Sequence, residues 1–294
     1  FRIMGNSRVS MLVALLMNAI NVGGNALLVF GFHLGVAGVA IPTLVSRMVA
    51  AAVILGLLCS QKHEIHFERS MSLRPDWNMI RNIMSVGIPN GVENSLFQLG
   101  KILMVSLITS FGPASIAANA IGNNFAQYQI LGGMSVGIAM VTVVSQCVGA
   151  GDYAKVRAYT RKLMKLSYLF ILIMVGITLA LMPLILRLYN VSAEADGYAV
   201  QCILLHSAMA CLLWPMAFTL PNTLRAAGDA RYTMLVSVFV MWAVRIGVGY
   251  LLGGYFGLGL LGVWIAMVLD WAVRIPFFWL RYHGHRWEHM SLVR

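Results

Sequence analysis

The 294-residue chain is strongly apolar: 60% of its residues are hydrophobic, 11% are charged, and its mean hydropathy is +0.80. This composition excludes the soluble globular classes, because a water-soluble fold cannot bury so much apolar surface, and it predicts an all-α polytopic membrane protein. The net charge of +11 comes from Lys and Arg in short segments between apolar runs, which is typical of membrane loops rather than of nucleic-acid binding.

Eight apolar windows reach the length of about 20 residues that a membrane-spanning helix needs. They lie at 9–30, 35–58, 83–109, 114–148, 163–186, 198–224, 233–253 and 259–281. Lys and Arg fall almost entirely in the segments that share one side of this arrangement, so the positive-inside rule places both chain ends in the cytoplasm. The sequence therefore predicts eight transmembrane helices in a plasma membrane, with a cytoplasmic linker at 61–82 and a cytoplasmic tail at 283–294.

An internal repeat organises the chain. The opening string FRIMGNSRVSMLV recurs as LRAAGDARYTMLV from Leu224, with six identities in thirteen positions at an offset of 223. After a slip of one residue, LGVAGVAI matches LGLLGVWI at an offset of 224. An even number of spans separates the two copies, so they point the same way, as in transporters built from parallel repeats. We therefore expect residues 1–60 to be the last two helices of an incomplete N-terminal lobe and 83–282 to be a complete six-helix C-terminal lobe, which makes eight helices of an expected twelve.

Glu93 is the candidate ion or proton site. Charged side chains inside a bilayer are costly and indicate function. Glu93 follows Ile83 by ten residues, which places it about 15 Å into its span and close to the midplane. Pro89 and Gly91 just before it weaken the helix. A structural ion pair with Lys101 is the alternative, but eight residues of helix separate the two by about 12 Å.

Neutral polar residues accompany this acid. Asn119, Asn123 and Gln127 recur every four residues on one face of the next span, at a depth that matches that of the acid. They are expected to line the substrate or ion cavity, and interhelical hydrogen bonding is an equally open explanation. Asn90 and Phe97 are added as candidate cavity residues, with Phe97 placed to contact an aromatic substrate.

A second polar cluster contains Arg245, Asp270 and Arg274. At the offset of 224, Arg245 corresponds to Asn21 and Asp270 corresponds to Ser46. Both positions are therefore polar in both copies of the repeat. This predicts that Arg245 and Asp270 face each other as a buried structural pair, with a proton relay as the alternative.

No cofactor and no metal site are expected. The four cysteines show no CxxC spacing and fit small core positions. The tail HGHRWEH contains His283, His285 and His289, but its Trp287 makes an anchor at the membrane interface the favoured interpretation over a metal site.

Four strings carry a family resemblance. They are GIPNGVENSLFQLGK, AANAIGNN, SQCVGAGD and LRAAGDARY. They resemble the multidrug and toxic compound extrusion (MATE) family over essentially the whole chain, from the family's fifth helix to its twelfth. The resemblance implies a two-lobe bundle that exports organic cations or other amphipathic compounds against inward flow of Na⁺ or H⁺, with Glu93 at the acidic position of the seventh helix. Trp214 stands near the place where some members carry a further acid, which leaves the coupling ion open.

The expected partners are membrane lipid and a small amphipathic or cationic substrate, and the complete protein is expected to be monomeric. A flippase for lipid-linked sugars of the same superfamily is the alternative, and it should need a cavity richer in cationic groups. An enzyme would need a clustered acid, base or metal site, which the scattered histidines do not provide. An inactive fragment is a further possibility that the sequence leaves open.

Overall fold

The computed structural model describes residues 7–59, 75–284 and 286–289, and these are almost entirely helical, with no β-strand among them. The long helices are α1 Ser7–Gly31, α2 Gly35–Leu58, α3 Trp77–Thr109, α4 Pro113–Gly149, α5 Tyr153–Tyr189, α6 Ala193–Ala226, α7 Ala230–Tyr255 and α8 Gly259–His283. A short 3-10 turn, Arg286–His289, follows α8.

Seven of these helices, all except α3, are long and apolar enough to cross a membrane. The remaining helix, α3, has 33 residues and carries several polar side chains in its middle. It begins at Trp77, six residues before the start that hydropathy predicts. Residues 60–74 of the predicted linker region lie outside the described residues. The prediction of an all-α polytopic membrane protein is confirmed.

The chain divides into two compact units, Phe1–Asp76 and Trp77–Arg294. Within the first unit, α1 and α2 form an antiparallel hairpin. The second unit contains α3 to α8, and its apolar core lies mainly between α4, α5, α6 and α8.

Aromatic side chains fill much of the core of the second unit. A Cβ on Gly122 of α4 would lie 2.8 Å from the Trp264 ring, and one on Gly133 would lie 2.4 Å from the Trp214 ring. Both indoles therefore pack directly against the α4 backbone, as small residues at membrane helix interfaces allow.

The two copies of the sequence repeat make the same hairpin turn. In each copy the first helix ends in a π-helical segment, Ala26–Gly31 and Tyr250–Tyr255, and these segments are equivalent at the offset of 224. The second helix begins at equivalent glycines in left-handed backbone conformations, with φ +53° at Gly35 and +56° at Gly259. Glycine adopts such conformations at no steric cost, which explains why both positions hold it.

The copies differ in one respect. The second copy has an additional π-helical segment, Met241–Val248, whereas the equivalent residues 17–24 of the first copy form a regular α-helix. A π-helix closes its hydrogen bonds between residues i and i+5, so it changes the direction of the side chains relative to an α-helix. Residues 1–6, which begin the first copy, lie outside the described residues.

The short 3-10 turn Arg286–His289 packs on the helices of the second unit. Trp287 is fully buried and stacks on Tyr282, with ring centroids 5.6 Å apart, and it contacts Tyr153 edge-on at 6.0 Å. Glu288 forms an ion pair with Arg157 of α5. The interfacial-anchor interpretation is therefore wrong for Trp287, because protein rather than lipid covers its ring. His285 lies outside the described residues.

The loop between α4 and α5 is ordered by local hydrogen bonds. The Asp152 carboxylate caps α5 by accepting a hydrogen bond of 2.9 Å from the Lys155 backbone N–H. The side chain of Lys155 also forms an ion pair with this carboxylate at 2.8 Å. Together these hydrogen bonds hold the pKa of the Asp152 carboxyl below its usual value.

Candidate functional site

One face of α3 carries Glu93, Phe97 and Lys101 at four-residue spacing, so about 12 Å of helix separates the first from the last. Glu93 and Phe97 are partly buried, and Lys101 is exposed. The helix continues through Pro89 and Gly91, so the local weakening expected ahead of the acid does not interrupt α3.

Glu93 has a partner that the sequence analysis did not assign to it. Its Oε1 accepts a hydrogen bond of 2.6 Å from Nη2 of Arg225, and the two side chains are 13% and 25% exposed. The other guanidinium nitrogen, Nη1, donates to Oδ1 of Asn222 at 3.1 Å. The Arg225 Nε is buried with no hydrogen-bond partner among the described residues. A partly buried ion pair therefore connects the middle of α3 to the end of α6.

Arg225 belongs to the repeated string LRAAGDARYTMLV, and sequence reasoning assigned it to membrane topology alone. Sixteen residues of α3 lie on each side of Glu93, so the acid is at mid-helix. Arg225 lies in the last turn of α6, which puts the ion pair beside the α6–α7 turn. The sequence did contain a signal for this pairing. Glu93 and Arg225 each lie in a separate motif, and neither has an oppositely charged partner within its own segment.

The predicted neutral ligands make their hydrogen bonds with groups other than the acid. Oδ1 of Asn119 accepts a hydrogen bond of 3.3 Å from the Trp264 indole. The amide of Asn123 donates to the Asn119 backbone carbonyl at 2.8 Å, and Gln127 is exposed. Within the described part of the chain, no hydrogen bond joins these three side chains to Glu93.

Asn90 lies one turn before Glu93 on α3, and its backbone carbonyl accepts a hydrogen bond of 2.9 Å from the Asn94 amide. This contact is local to the helix and does not identify a ligand. The roles of Asn90, Phe97 and the α4 side chains in a cavity stay predictions.

A buried polar network lies elsewhere in the six-helix unit, and the sequence analysis missed it. Oε1 of Gln129 on α4 accepts a hydrogen bond of 2.7 Å from Nδ1 of His206 on α6. The Gln129 amide donates to the hydroxyls of Ser207 at 2.8 Å and Thr178 at 3.2 Å. Trp264 and Trp271 contact the imidazole edge-on, with ring centroids 5.9 Å and 5.3 Å away.

This network connects α4, α5 and α6 in the core, and protein groups supply the hydrogen-bond partners of both ends of the Gln129 side-chain amide. Since Gln129 uses its carbonyl as the acceptor, His206 donates through Nδ1 and is in the Nδ1–H tautomer. A histidine in the middle of the apolar string ILLHSAMAC was the signal that could have revealed it. We interpret the network as a structural connection between helices.

Asp270 forms its direct ion pair with Arg274, and Arg245, predicted as its partner, interacts with it only electrostatically, without a hydrogen bond among the described residues. Both Nε and Nη2 of Arg274 bind Oδ1 of Asp270, at 3.0 Å and 2.9 Å, and both side chains are almost completely buried. The two residues are four apart on α8, so they share a face of one helix. Arg245 lies in the π-helical segment of α7, and the altered side-chain direction there brings its guanidinium to the ring of Phe97, 5.6 Å from the centroid.

The equivalent positions in the first copy do not pair with each other either. The amide of Asn21 donates to the hydroxyl of Thr43 at 3.0 Å. Ser46 instead donates to the Thr43 backbone carbonyl at 3.0 Å. The hairpin is therefore bridged by a neutral hydrogen bond, at a position one turn away from the predicted one.

Long apolar helices with charged and polar groups between them place the chain in the class of polytopic membrane proteins. The MatE family model matches residues 89–251, which is more than half of the chain. The chain therefore belongs to the MatE family, and the predicted resemblance is confirmed.

Curated relatives support this assignment. The chain is 27% identical to the probable multidrug resistance protein NorM of Thermotoga maritima, over 98% of this chain and 62% of that protein. It is 25% identical to the probable multidrug resistance protein YoeA of Bacillus subtilis, over 99% of this chain and 64% of that protein. The chain thus spans less than two thirds of the length of these relatives.

Solved structures show the same fold. An outward-facing multidrug resistance MATE family transporter of the MOP superfamily superimposes with a TM-score of 0.84 at 20% identity, over 95% of this chain and 63% of that one. A MOP superfamily transporter from Pyrococcus furiosus, described as having a binding pocket of reverse polarity, superimposes with a TM-score of 0.83 at 19% identity, over the same shares. The predicted MATE-like bundle is confirmed at the level of the fold.

Proposed function

We propose that this chain is part of a cation-coupled antiporter that exports amphipathic organic compounds, organic cations among them, across the plasma membrane. The observation that carries the proposal is the ion pair between Glu93 and Arg225. Arg225 and a coupling cation would compete for the same carboxylate of α3. The names of the relatives, probable multidrug resistance proteins, agree with this function.

The ion pair supplies a coupling mechanism. A carboxylate whose charge is neutralised by a guanidinium attracts Na⁺ or H⁺ more weakly than a free one, so in this proposal the coupling cation and the guanidinium compete for Glu93. Entry of either cation therefore separates Glu93 from Arg225, which keeps Asn222 as a hydrogen-bond partner. Without the cation, α3 stays bound to the end of α6; with it, the two helices are free to move apart.

The backbone of α6 provides a place where such a movement can be absorbed. A π-helical segment, Pro215–Thr219, interrupts the regular hydrogen bonding of α6 six residues before Arg225. Pro221 follows within the same helix. Helices bend most readily at prolines and π segments, and π segments are frequent at functional sites.

Asn90, Phe97, Asn119, Asn123 and Gln127 belong to this proposal as the lining of the substrate or ion path. Membrane lipid and a small amphipathic substrate are the proposed partners of a monomeric complete protein, with both ends of this chain in the cytoplasm. Na⁺ and H⁺ are both retained as coupling ions.

The test is efflux of a fluorescent organic cation from vesicles that contain the complete protein, driven by an imposed Na⁺ or pH gradient. We expect Glu93→Gln to abolish gradient-driven efflux, because an amide does not exchange a proton or neutralise Na⁺. The control is Lys165→Gln, which removes an exposed charge from α5. Efflux by Glu93→Gln at the level of the control would remove Glu93 from the mechanism.

A further inference from the structure

Three cationic side chains surround a single aromatic ring in the six-helix unit. The Lys101 Nζ, the Arg245 guanidinium carbon and the Arg274 guanidinium carbon each lie 5.6 Å from the ring centroid of Phe97. Cation–π contacts of this kind are weak, and they do not replace a counter-ion for charged groups at membrane depth, where leaving water is costly.

Only one of the three cations is hydrogen-bonded to an acidic side chain among the described residues, and Arg245 has only a longer-range attraction to the same Asp270. Asp270 is fully buried and is engaged by Arg274, which also donates to the Ser237 backbone carbonyl at 3.2 Å. In the part of the chain that the structure describes, Lys101 and Arg245 take part in no ion pair and no hydrogen bond. Three cations and one carboxylate leave an excess of two positive charges around Phe97.

The helix packing holds the two unpaired cations together. A Cβ on Gly100 would lie 2.5 Å from the Met241 Cε and 3.2 Å from the Ile246 Cδ1, so α7 approaches α3 closely beside Lys101. Since their cationic groups lie 5.6 Å from the centroid of the same Phe97 ring, Lys101 and Arg245 are close enough to repel each other. Like charges are thus held close together, which favours the binding of an anion between them.

The two cations are also accessible, in contrast to Arg274. Lys101 is exposed and Arg245 is partly exposed, whereas Arg274 is 1% exposed and belongs to the core. Arg245 lies fifteen residues into α7, or about 22 Å, and ten residues from its end. A pair of cations without hydrogen-bonded acidic partners at that depth, one exposed and one partly buried beside an aromatic ring, has the features of a binding site.

We infer that Lys101, Arg245 and Phe97 form a binding site for the anionic group of an amphipathic molecule, a carboxylate, sulfonate or phosphate whose apolar part contacts Phe97. This site is separate from the acid, since Lys101 lies eight residues from Glu93 on α3. It extends the proposed function, because the transporter would take anionic as well as cationic amphiphiles. The same anionic chemistry occurs in an organic anion and in a lipid phosphate.

The test measures binding of anilinonaphthalene sulfonate to the complete protein in phosphatidylcholine nanodiscs, with empty nanodiscs as the background. Contacts with a charged group contribute about 1.5–3 kcal/mol, so Lys101→Gln and Arg245→Gln should each weaken binding about tenfold or more. The matched control Lys165→Gln should bind as the unmodified protein does. Arg245→Lys, which keeps the charge, should retain most of the affinity, and the thermal midpoint of each variant shows whether it is folded.

Equal affinity in Lys101→Gln, Arg245→Gln and the control would overturn the inference. Affinity lost to the same degree in Arg245→Lys and Arg245→Gln would also overturn it, because charge would then not be the determinant. Displacement of the dye by phosphatidylglycerol would identify lipid phosphate as the ligand, whereas no displacement would favour an organic anion; both results support an anion site.

The binding and efflux experiments test the anion site and the proposed antiport independently. The binding measurement needs no ion gradient, so charge-dependent binding without Glu93-dependent efflux would refute the proposed antiport alone. Glu93-dependent efflux without charge-dependent anion binding would refute this site alone.

Discussion

Removing one partner of the Glu93–Arg225 ion pair tests how the six-helix unit is held together. The relevant variants are Glu93→Gln, Arg225→Gln and the double replacement. Each single replacement leaves one charge in a partly buried position without its counter-ion, and the double replacement leaves none. The stability of the double variant should therefore exceed the value expected from adding the two single effects.

The magnitude follows from the exposure of the two side chains. Loss of one partner from a fully buried pair costs about 3–5 kcal/mol, whereas exposed pairs contribute about 0–1 kcal/mol. With 13% and 25% of the two side chains exposed, this pair lies between these limits. We expect a coupling free energy of about 1–3 kcal/mol between Glu93 and Arg225.

The assay is thermal unfolding of the four proteins in detergent at neutral pH and fixed salt. The chain supplies a matched control in Lys155 and Asp152, an ion pair of 2.8 Å whose side chains are 67% and 34% exposed. The cycle of Lys155→Gln and Asp152→Asn should give a coupling below about 1 kcal/mol. A Glu93–Arg225 coupling no larger than that of the control would refute the reasoning.

Further predictions concern packing, and each is checked by the same thermal unfolding measurement. Gln129→Leu should lower stability by about 1–3 kcal/mol, because it leaves the buried His206 Nδ1 without its acceptor, whereas the Thr178 and Ser207 hydroxyls keep their backbone acceptors; a neutral effect would show that water replaces the amide. Gly262→Ala should cost more than Gly100→Ala, since the added Cβ meets backbone at 2.8 Å in the first case and the end of a methionine side chain at 2.5 Å in the second; the reverse order would contradict this. Trp287→Ala should cost about 3–5 kcal/mol, because the fully buried ring leaves a cavity; a loss below about 1 kcal/mol would show that the tail contributes little.

Hydropathy and the repeat were sufficient to predict the main architecture. Long apolar runs have few alternatives to membrane-spanning helices, and the fold shows a long helix at each predicted position. The start of α3 was placed too late because Trp77–Asn82 is polar, and hydropathy detects only the apolar part of a helix. The equivalence of Gly35 and Gly259 was visible in the sequence, and its reason, a left-handed backbone, became clear from the structure.

The partners of the polar side chains were harder to predict. Arg225 was not connected to Glu93, since the two are 132 residues apart and their meeting depends on how α3 and α6 pack. Asp270 and Arg274 could have been paired from their spacing of four residues alone. The repeat favoured Arg245 instead, because equivalent residues were assumed to point in equivalent directions.

The π-helical segment Met241–Val248 explains why that assumption fails. Between Val236 and Gly259 the second copy has one residue more than the first copy has between Val13 and Gly35, which is why the offset changes from 223 to 224. A π turn takes up one extra residue without breaking a helix. The slip between the copies is therefore a single-residue insertion absorbed by this segment, which displaced Arg245 around the helix axis while the hairpin turn beyond it kept its geometry.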